Sequence, residues 1–193
     1  MENKEINIKV NMTGHDVELI NEMLMMQKKL DEAIMEEYGL KRIEEWKLNL
    51  AILDEVGELN HELKVNWCWW EETQPKVDRE KVLGELVDIW HFVLSWENNF
   101  NYSYRRLFSK DYFIEDVKDV LWSLENNKGM IVQRLTQLTH YPIRKVETLI
   151  AITEYLGFTI QQVYNAYCNK NKVNYQRLES GCDMKLVERK ENE

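Results

Sequence analysis

Glycine and proline are scarce in this chain, with seven and two among 193 residues. So few turn-forming residues cannot punctuate a sandwich or barrel of many short strands, and the stretches rich in Glu, Lys, Leu and Met favour helix. Long apolar runs are missing as well. No stretch reaches the roughly 18 apolar residues of a membrane span, and the opening MENKEINIKV is charged where an export signal would be apolar. No membrane partner is expected, and the cytoplasm is the expected location. The three cysteines, Cys68, Cys168 and Cys182, are odd in number and lack CxxC spacing, which argues against a disulfide framework and a structural zinc site; free thiols are expected. Positive charge is also in deficit. A net charge of −9 disfavours nucleic acid and anionic membrane surfaces as partners, so an anionic ligand would need a metal or a local basic patch.

What is present suits an all-α helical bundle. Hydrophobic residues make up 44% of the chain, enough for one core without staples. We expect a single domain, with core helices over about 13–98 and 158–183 and a smaller helical lobe over about 99–157. The first helix runs from a capping box at Thr13 and Asp16 to a glycine stop at Gly39. Its inward stripe reads Ile20, Leu24, Gln27, Asp31, Ile34, so a buried amide and a buried carboxylate must find partners. A second helix over about 41–65 is apolar on most sides through Trp46, Leu48, Leu50, Ile52, Leu53, Val56, Leu59 and Leu63. A third over about 78–98 carries one polar stripe of Glu85, Asp88, His91 and Ser95. Short helical patterns follow at about 111–125, 129–139 and 143–155. The last helix starts near Thr159 with Ile160, Val163 and Tyr167 facing in, and the same stripe continues as Lys170, Asn174 and Arg177. The tail from Met184 is charged and expected to fray.

Two acidic pairs stand out, Glu55 with Glu58 and Glu85 with Asp88, because each sits at i and i+3 on an otherwise apolar helix. A single such pair is an ordinary solvated face. Two pairs on adjacent apolar helices repel one another and ask for a hard cation; oxygen-only ligands select Mg²⁺, or Mn²⁺ in its place. Three tryptophans, Trp67, Trp69 and Trp70, crowd a polar loop after the acidic helix, where a planar base could stack, whereas Trp90, Trp96 and Trp122 are expected to fill core. Lys170, Asn171, Asn174 and Arg177 form either a solvated helix face or a phosphate grip. Glu58-x-x-His61 and Asp88-x-x-His91 imitate the ligands of a ferritin-like di-iron bundle, a rival enzyme class, and a non-catalytic helical binding module is a third.

The strings Gln27-x-x-Leu30-Asp31-x-x-Ile34, Asp54-Glu55-x-x-Glu58, the Trp67 to Trp70 loop, Glu85-x-x-Asp88-x-x-His91-Phe92-x-Leu94-Ser95 and Tyr164-x-x-Tyr167-x-x-Lys170-Asn171-x-x-Asn174-x-x-Arg177 span most of the chain in order. Together they resemble the dimeric, all-α dUTPases of the MazG-like nucleoside triphosphate pyrophosphatases. The resemblance implies hydrolysis of dUTP to dUMP and pyrophosphate, with related dCTP or mixed activity as the alternative. It also implies a homodimer and attack of water at the β phosphorus. By the same resemblance Glu55, Glu58, Glu85 and Asp88 hold magnesium and are the catalytic residues. Lys170, Asn171, Asn174 and Arg177 grip phosphates or sugar, and Gln27, Asp31, Trp67, Trp70 and His91 form the substrate pocket.

Overall fold

The computed structural model describes residues 10–73, 75–101, 108, 110–140 and 144–180, with backbone alone for 110–113. The charged tail from Met184, Cys182 and the Tyr141-Pro142 break lie outside the described residues. Seven α-helices and no strand occur among the described residues: α1 (Gly14–Glu37), α2 (Glu45–Glu62), α3 (Arg79–Phe100), α4 (Lys110–Asn126), α5 (Met130–His140), α6 (Lys145–Tyr155) and α7 (Ile160–Ser180).

Local chemistry sets the ends of these helices. Thr13 Oγ1 accepts from the Asp16 amide at 3.2 Å while Asp16 Oδ2 accepts from the Thr13 amide at 2.7 Å, closing the capping box of α1. At its other end Gly39 adopts φ 62°, which lets Leu40 N–H reach Met35 C=O at 2.8 Å and Gly39 N–H reach Glu36 C=O at 3.3 Å. These two bonds satisfy carbonyls that a straight helix end would orphan. Gly157, at φ 77°, ends α6 in the same way. Asp78 caps α3 through Oδ1, and Thr159 with Gln162 boxes the start of α7.

α3 is the axis of the bundle, packed against α1, α2, α6 and α7. Its Val82, Leu86, Val87, Ile89, Trp90, Val93, Leu94 and Trp96 are all buried. Burying an indole also buries an N–H, so each needs an acceptor. Trp90 Nε1 donates to Thr153 on α6 at 3.2 Å and Trp96 Nε1 to Glu45 on α2 at 3.1 Å. Helices α4, α5 and α6 feed Val117, Leu121, Leu135, Leu138 and Ile150 into the same apolar cluster as Ile20, Ile52 and Val163.

Two expectations need correction, the length of α2 and the place of Trp122. α2 is shorter than 41–65: it starts at Glu45 and gives way after Glu62 to a 3₁₀ turn over Lys64–Asn66. It is buried on one face only, through Leu48, Ile52, Val56 and Leu59, while Trp46, Leu50 and Leu53 are 57%, 55% and 48% exposed. Trp122 is not core, since α4 turns it outward at 54% exposure and buries Val117, Val120, Leu121 and Leu124 instead.

Candidate active site

Packing α2 against α3 places the two acidic pairs face to face. Carboxylate oxygens of Glu55, Glu58 and Glu85 all lie within 4.8 Å of one another. Asp88, one turn beyond Glu85, is bound instead by Lys170 of α7, with Nζ 2.7 Å from Oδ2. Two unit charges at ~4 Å repel by about 4 kcal/mol at an effective dielectric of about 20, so four acids facing one lysine make a strongly anionic pocket. The Glu55 carboxyl is pushed up to about 7 by burial first, then by the charges of Asp88, Glu58 and Glu85, with Lys170 partly opposing. Glu85 is raised by burial and by Glu58 and Asp88.

A second polar network is buried beside this one. Gln27 Nε2 donates to Asp31 Oδ1 at 2.7 Å, and its Oε1 accepts from Tyr167 Oη–H at 2.7 Å. His91 Nδ1 lies 2.7 Å from the same Oε1. An amide oxygen can only accept, so Nδ1 carries the imidazole proton and Nε2 presents a lone pair. Burial, then Lys170, drives the His91 pKa down to about 3, which keeps the ring neutral. Asp31 accepts two further bonds on Oδ2, from Ser95 at 2.7 Å and Asn99 at 3.1 Å, so both of its oxygens are held by the protein. Burial still raises its pKa above the usual carboxylate range. Two polar capacities remain open at Gln27 and His91: one N–H of the amide, and Nε2, which is buried with no partner among the described residues.

Of the residues expected at the site, the structure therefore gathers Glu55, Glu58 and Glu85 into one cluster, with Asp88 and Lys170 at its edge. Gln27, Asp31 and His91 form the adjacent network. On α7, Asn171 Oδ1 is buried without a partner among the described residues, Asn174 is half-buried and Arg177 is exposed. Trp67 and Trp70 pack on each other at 5.6 Å between ring centroids, and Trp67 Nε1 donates to Asn60 C=O at 2.9 Å, yet both rings stay open to solvent. The di-iron pattern is not assembled: His61 is exposed, and the donated Nδ1 proton of His91 goes to Gln27.

Tyr167, Ser95 and Asn99 were not singled out for this network. Two of them had a signal, because the polar stripe of α3 continues at helical spacing from Asp88 through His91 and Ser95 to Asn99. Tyr167 had none, since an inward tyrosine at the end of an apolar stripe reads as core until its hydroxyl partner is seen.

The family model described as dUTPase matches residues 19–182. The chain belongs to the dUTPase family. No curated protein matches it. As a dUTP diphosphatase it hydrolyses dUTP to dUMP and pyrophosphate, and the all-helical architecture agrees with the all-α branch of such enzymes.

A dUTPase that crowds carboxylates this way should carry the strain as pH dependence. The folded Glu55 pKa of about 7 lies above its ordinary 4.5, so its ionisation destabilises the fold. The stability present below about pH 4.5 is lost as pH rises to about 7. Buried Glu97, also raised to about 7, acts in the same sense, and neutral His91 opposes both below its ordinary pKa. The difference between Glu55→Gln and the parent isolates one residue. Calorimetry in EDTA should show the two equally stable near pH 4.5, with the variant gaining progressively up to pH 7; parallel curves would remove Glu55 from the cluster.

Proposed function

We propose that this dUTPase works as a magnesium-dependent enzyme with Glu55 as general base, and that it does so as a homodimer in the cytoplasm. The observation that carries the reading is the convergence of Glu55, Glu58 and Glu85 within 4.8 Å beside the Asp88–Lys170 pair. An all-oxygen donor set, in which burial and neighbouring charges raise the Glu55 and Glu85 carboxyls, fits a hard divalent cation and does not fit zinc or copper. Held by these four acids, Mg²⁺, or Mn²⁺ in its place, would acidify the attacking water and neutralise the triphosphate.

The remaining chemistry belongs to the chain. Glu55, part-buried in the cluster, takes the proton of the attacking water. Lys170 and Arg177, about two turns apart on α7, supply the cationic grip for triphosphate oxygens, with Asn171 and Asn174 between them to bond phosphate or sugar. The open N–H of Gln27 and the His91 Nε2 lone pair present a donor and an acceptor, which match a uracil carbonyl and its N3–H. Cytosine lacks that N3–H, so the same pair favours dUTP over dCTP; thymine presents the same edge, and its exclusion would rest on a close-fitting wall against the C5 methyl group. The exposed Trp67 and Trp70 rings offer the stacking surface for the base. Attack on the β phosphorus, the outcome the resemblance implies, is tested by hydrolysis in ¹⁸O water. Label should appear in pyrophosphate; label in dUMP would move the attack to the α phosphorus.

The exposed face of α2 supports the homodimer. Trp46, Leu50 and Leu53 follow at intervals of four and three, forming an apolar stripe opposite the one that enters the core. A helix apolar on both sides is half-covered in a monomer, and a second copy would bury the rest. Leu50→Asp should convert the dimer to a monomer in analytical ultracentrifugation, while an unchanged sedimentation coefficient would place the interface elsewhere.

A further inference from the structure

Two rungs connect α3 to α7, one turn apart. In the first, His91 stacks on Tyr167 with ring centroids 4.0 Å apart and planes at 16°. In the second, Asp88 meets Lys170 at 2.7 Å. The Tyr167 rung is fully buried and hydrogen-bonded to Gln27, so the register of α7 on α3 is fixed, and Lys170 is delivered to Asp88 by that register. Lys170 is thereby held among four acids. It attracts Glu55 and Glu85 as well as Asp88, against the mutual repulsion of the carboxylates.

We propose that Lys170 is a place-holding cation: in the free enzyme it occupies Asp88 and withholds that carboxylate from the metal, and it lets go only when triphosphate oxygens offer it another anion. This rests on the metal reading above and extends it from composition to order of assembly. Lys170 cannot serve Asp88 and the triphosphate equally. A nucleotide that draws Nζ away frees Asp88, and the fourth acid then joins Glu55, Glu58 and Glu85. The ammonium is suited to such an exchange, being a point charge on a flexible stem, 36% exposed, with no planar fork to hold it to one carboxylate. Metal and nucleotide must then bind cooperatively, and by linkage each raises the affinity of the other by the same factor. The device also limits loading of the acidic pocket with metal when no substrate is present.

The test is Mn²⁺ binding to the full chain, followed by the electron paramagnetic resonance of free Mn²⁺. It is measured with and without a dUTP analogue carrying an imido bridge between the α and β phosphorus atoms. In the parent, the analogue should tighten Mn²⁺ binding roughly tenfold or more, a coupling of at least about 1.4 kcal/mol. Lys170→Met should tighten Mn²⁺ binding without analogue by roughly tenfold and reduce the coupling towards unity. Lys172→Met removes the same formal charge from an exposed position two residues on, and should leave Mn²⁺ affinity within about twofold of the parent. Unchanged or weaker Mn²⁺ binding in Lys170→Met would overturn the proposal, as would equal tightening in Lys172→Met, which would reduce the effect to net charge. Absence of saturable Mn²⁺ binding in the parent, beyond what the analogue alone binds in a blank without protein, would overturn the metal reading itself and this proposal with it. The two failures are therefore distinct.

Discussion

Glu58→Gln should lower dUTP turnover by about three orders of magnitude, ~4 kcal/mol of transition-state stabilisation, and leave the protein at least as stable as before. The two halves of that result come from the same geometry. Glu58 has carboxylate neighbours within 4.8 Å on both α2 and α3 and sits on the exposed side of its helix, so an isosteric amide relieves repulsion and opens no cavity. It also removes a charged oxygen from the set that would hold magnesium. Asp88→Asn should lose activity to a similar degree, but its stability should fall slightly, because the variant breaks the ion pair with Lys170. That pair is partly solvated, with side chains 16% and 36% exposed, so the cost should stay within about 1 kcal/mol. The measurements are kcat/KM for dUTP at saturating Mg²⁺ and the melting temperature in EDTA. Near-normal turnover in both variants would return these carboxylates to the status of a solvated helix face.

Gln27→Ala should have the opposite profile, damaging the fold as well as the reaction. Removing the amide leaves the His91 Nδ1 proton and one Asp31 oxygen without partners in a buried site, and leaves the Tyr167 hydroxyl only its longer bond to Met23 C=O at 3.3 Å. At about 1–3 kcal/mol for each buried polar group left unpaired, partly offset by relaxation, a loss of ~3–5 kcal/mol is expected. Turnover of dUTP should fall by roughly 10³-fold and that of dCTP much less, because the variant also frees the His91 ring whose tautomer the amide oxygen sets. Tyr167→Phe is the control. It deletes one donor to Gln27, should cost ~1 kcal/mol, and should leave the order of nucleotide preference intact. Equal loss for all three nucleotides in Gln27→Ala would assign the residue to packing and move base selection elsewhere.

The legible parts of this molecule are those written in local chemistry. Thr13 with Asp16 and Gly39 bounded α1 because caps and left-handed stops act over four or five residues. The apolar stripe of α7 showed its buried half, Ile160, Val163 and Tyr167, and the Lys170 that follows it meets Asp88. The acidic pairs were legible for the same reason: i and i+3 on one helix needs no knowledge of the partner helix. Tertiary placement was not legible. Trp122 and Leu50 are indistinguishable in sequence from core residues, and only the packing of α4 and α2 turns them outward. Burial of α6 along nearly its whole length brings Lys145 into the interior, over the ring of Trp96 with Nζ 4.8 Å from its centroid and bonded to Leu138 C=O. Burial pushes that ammonium down to about 8. No periodicity announces a lysine whose charge is satisfied by helices distant in sequence. The Asp88–Lys170 contact is of the same kind, a pairing across 82 positions that follows from the register of two helices.

The most direct test of the central claim is the product balance of dUTP incubated with the purified protein and Mg²⁺. The account predicts dUMP and pyrophosphate in equal amounts, faster than for any other nucleoside triphosphate, with release abolished by EDTA and slowed about a thousandfold by Glu58→Gln. Pyrophosphate release that persists in EDTA, or dUDP and phosphate as the products, would contradict it.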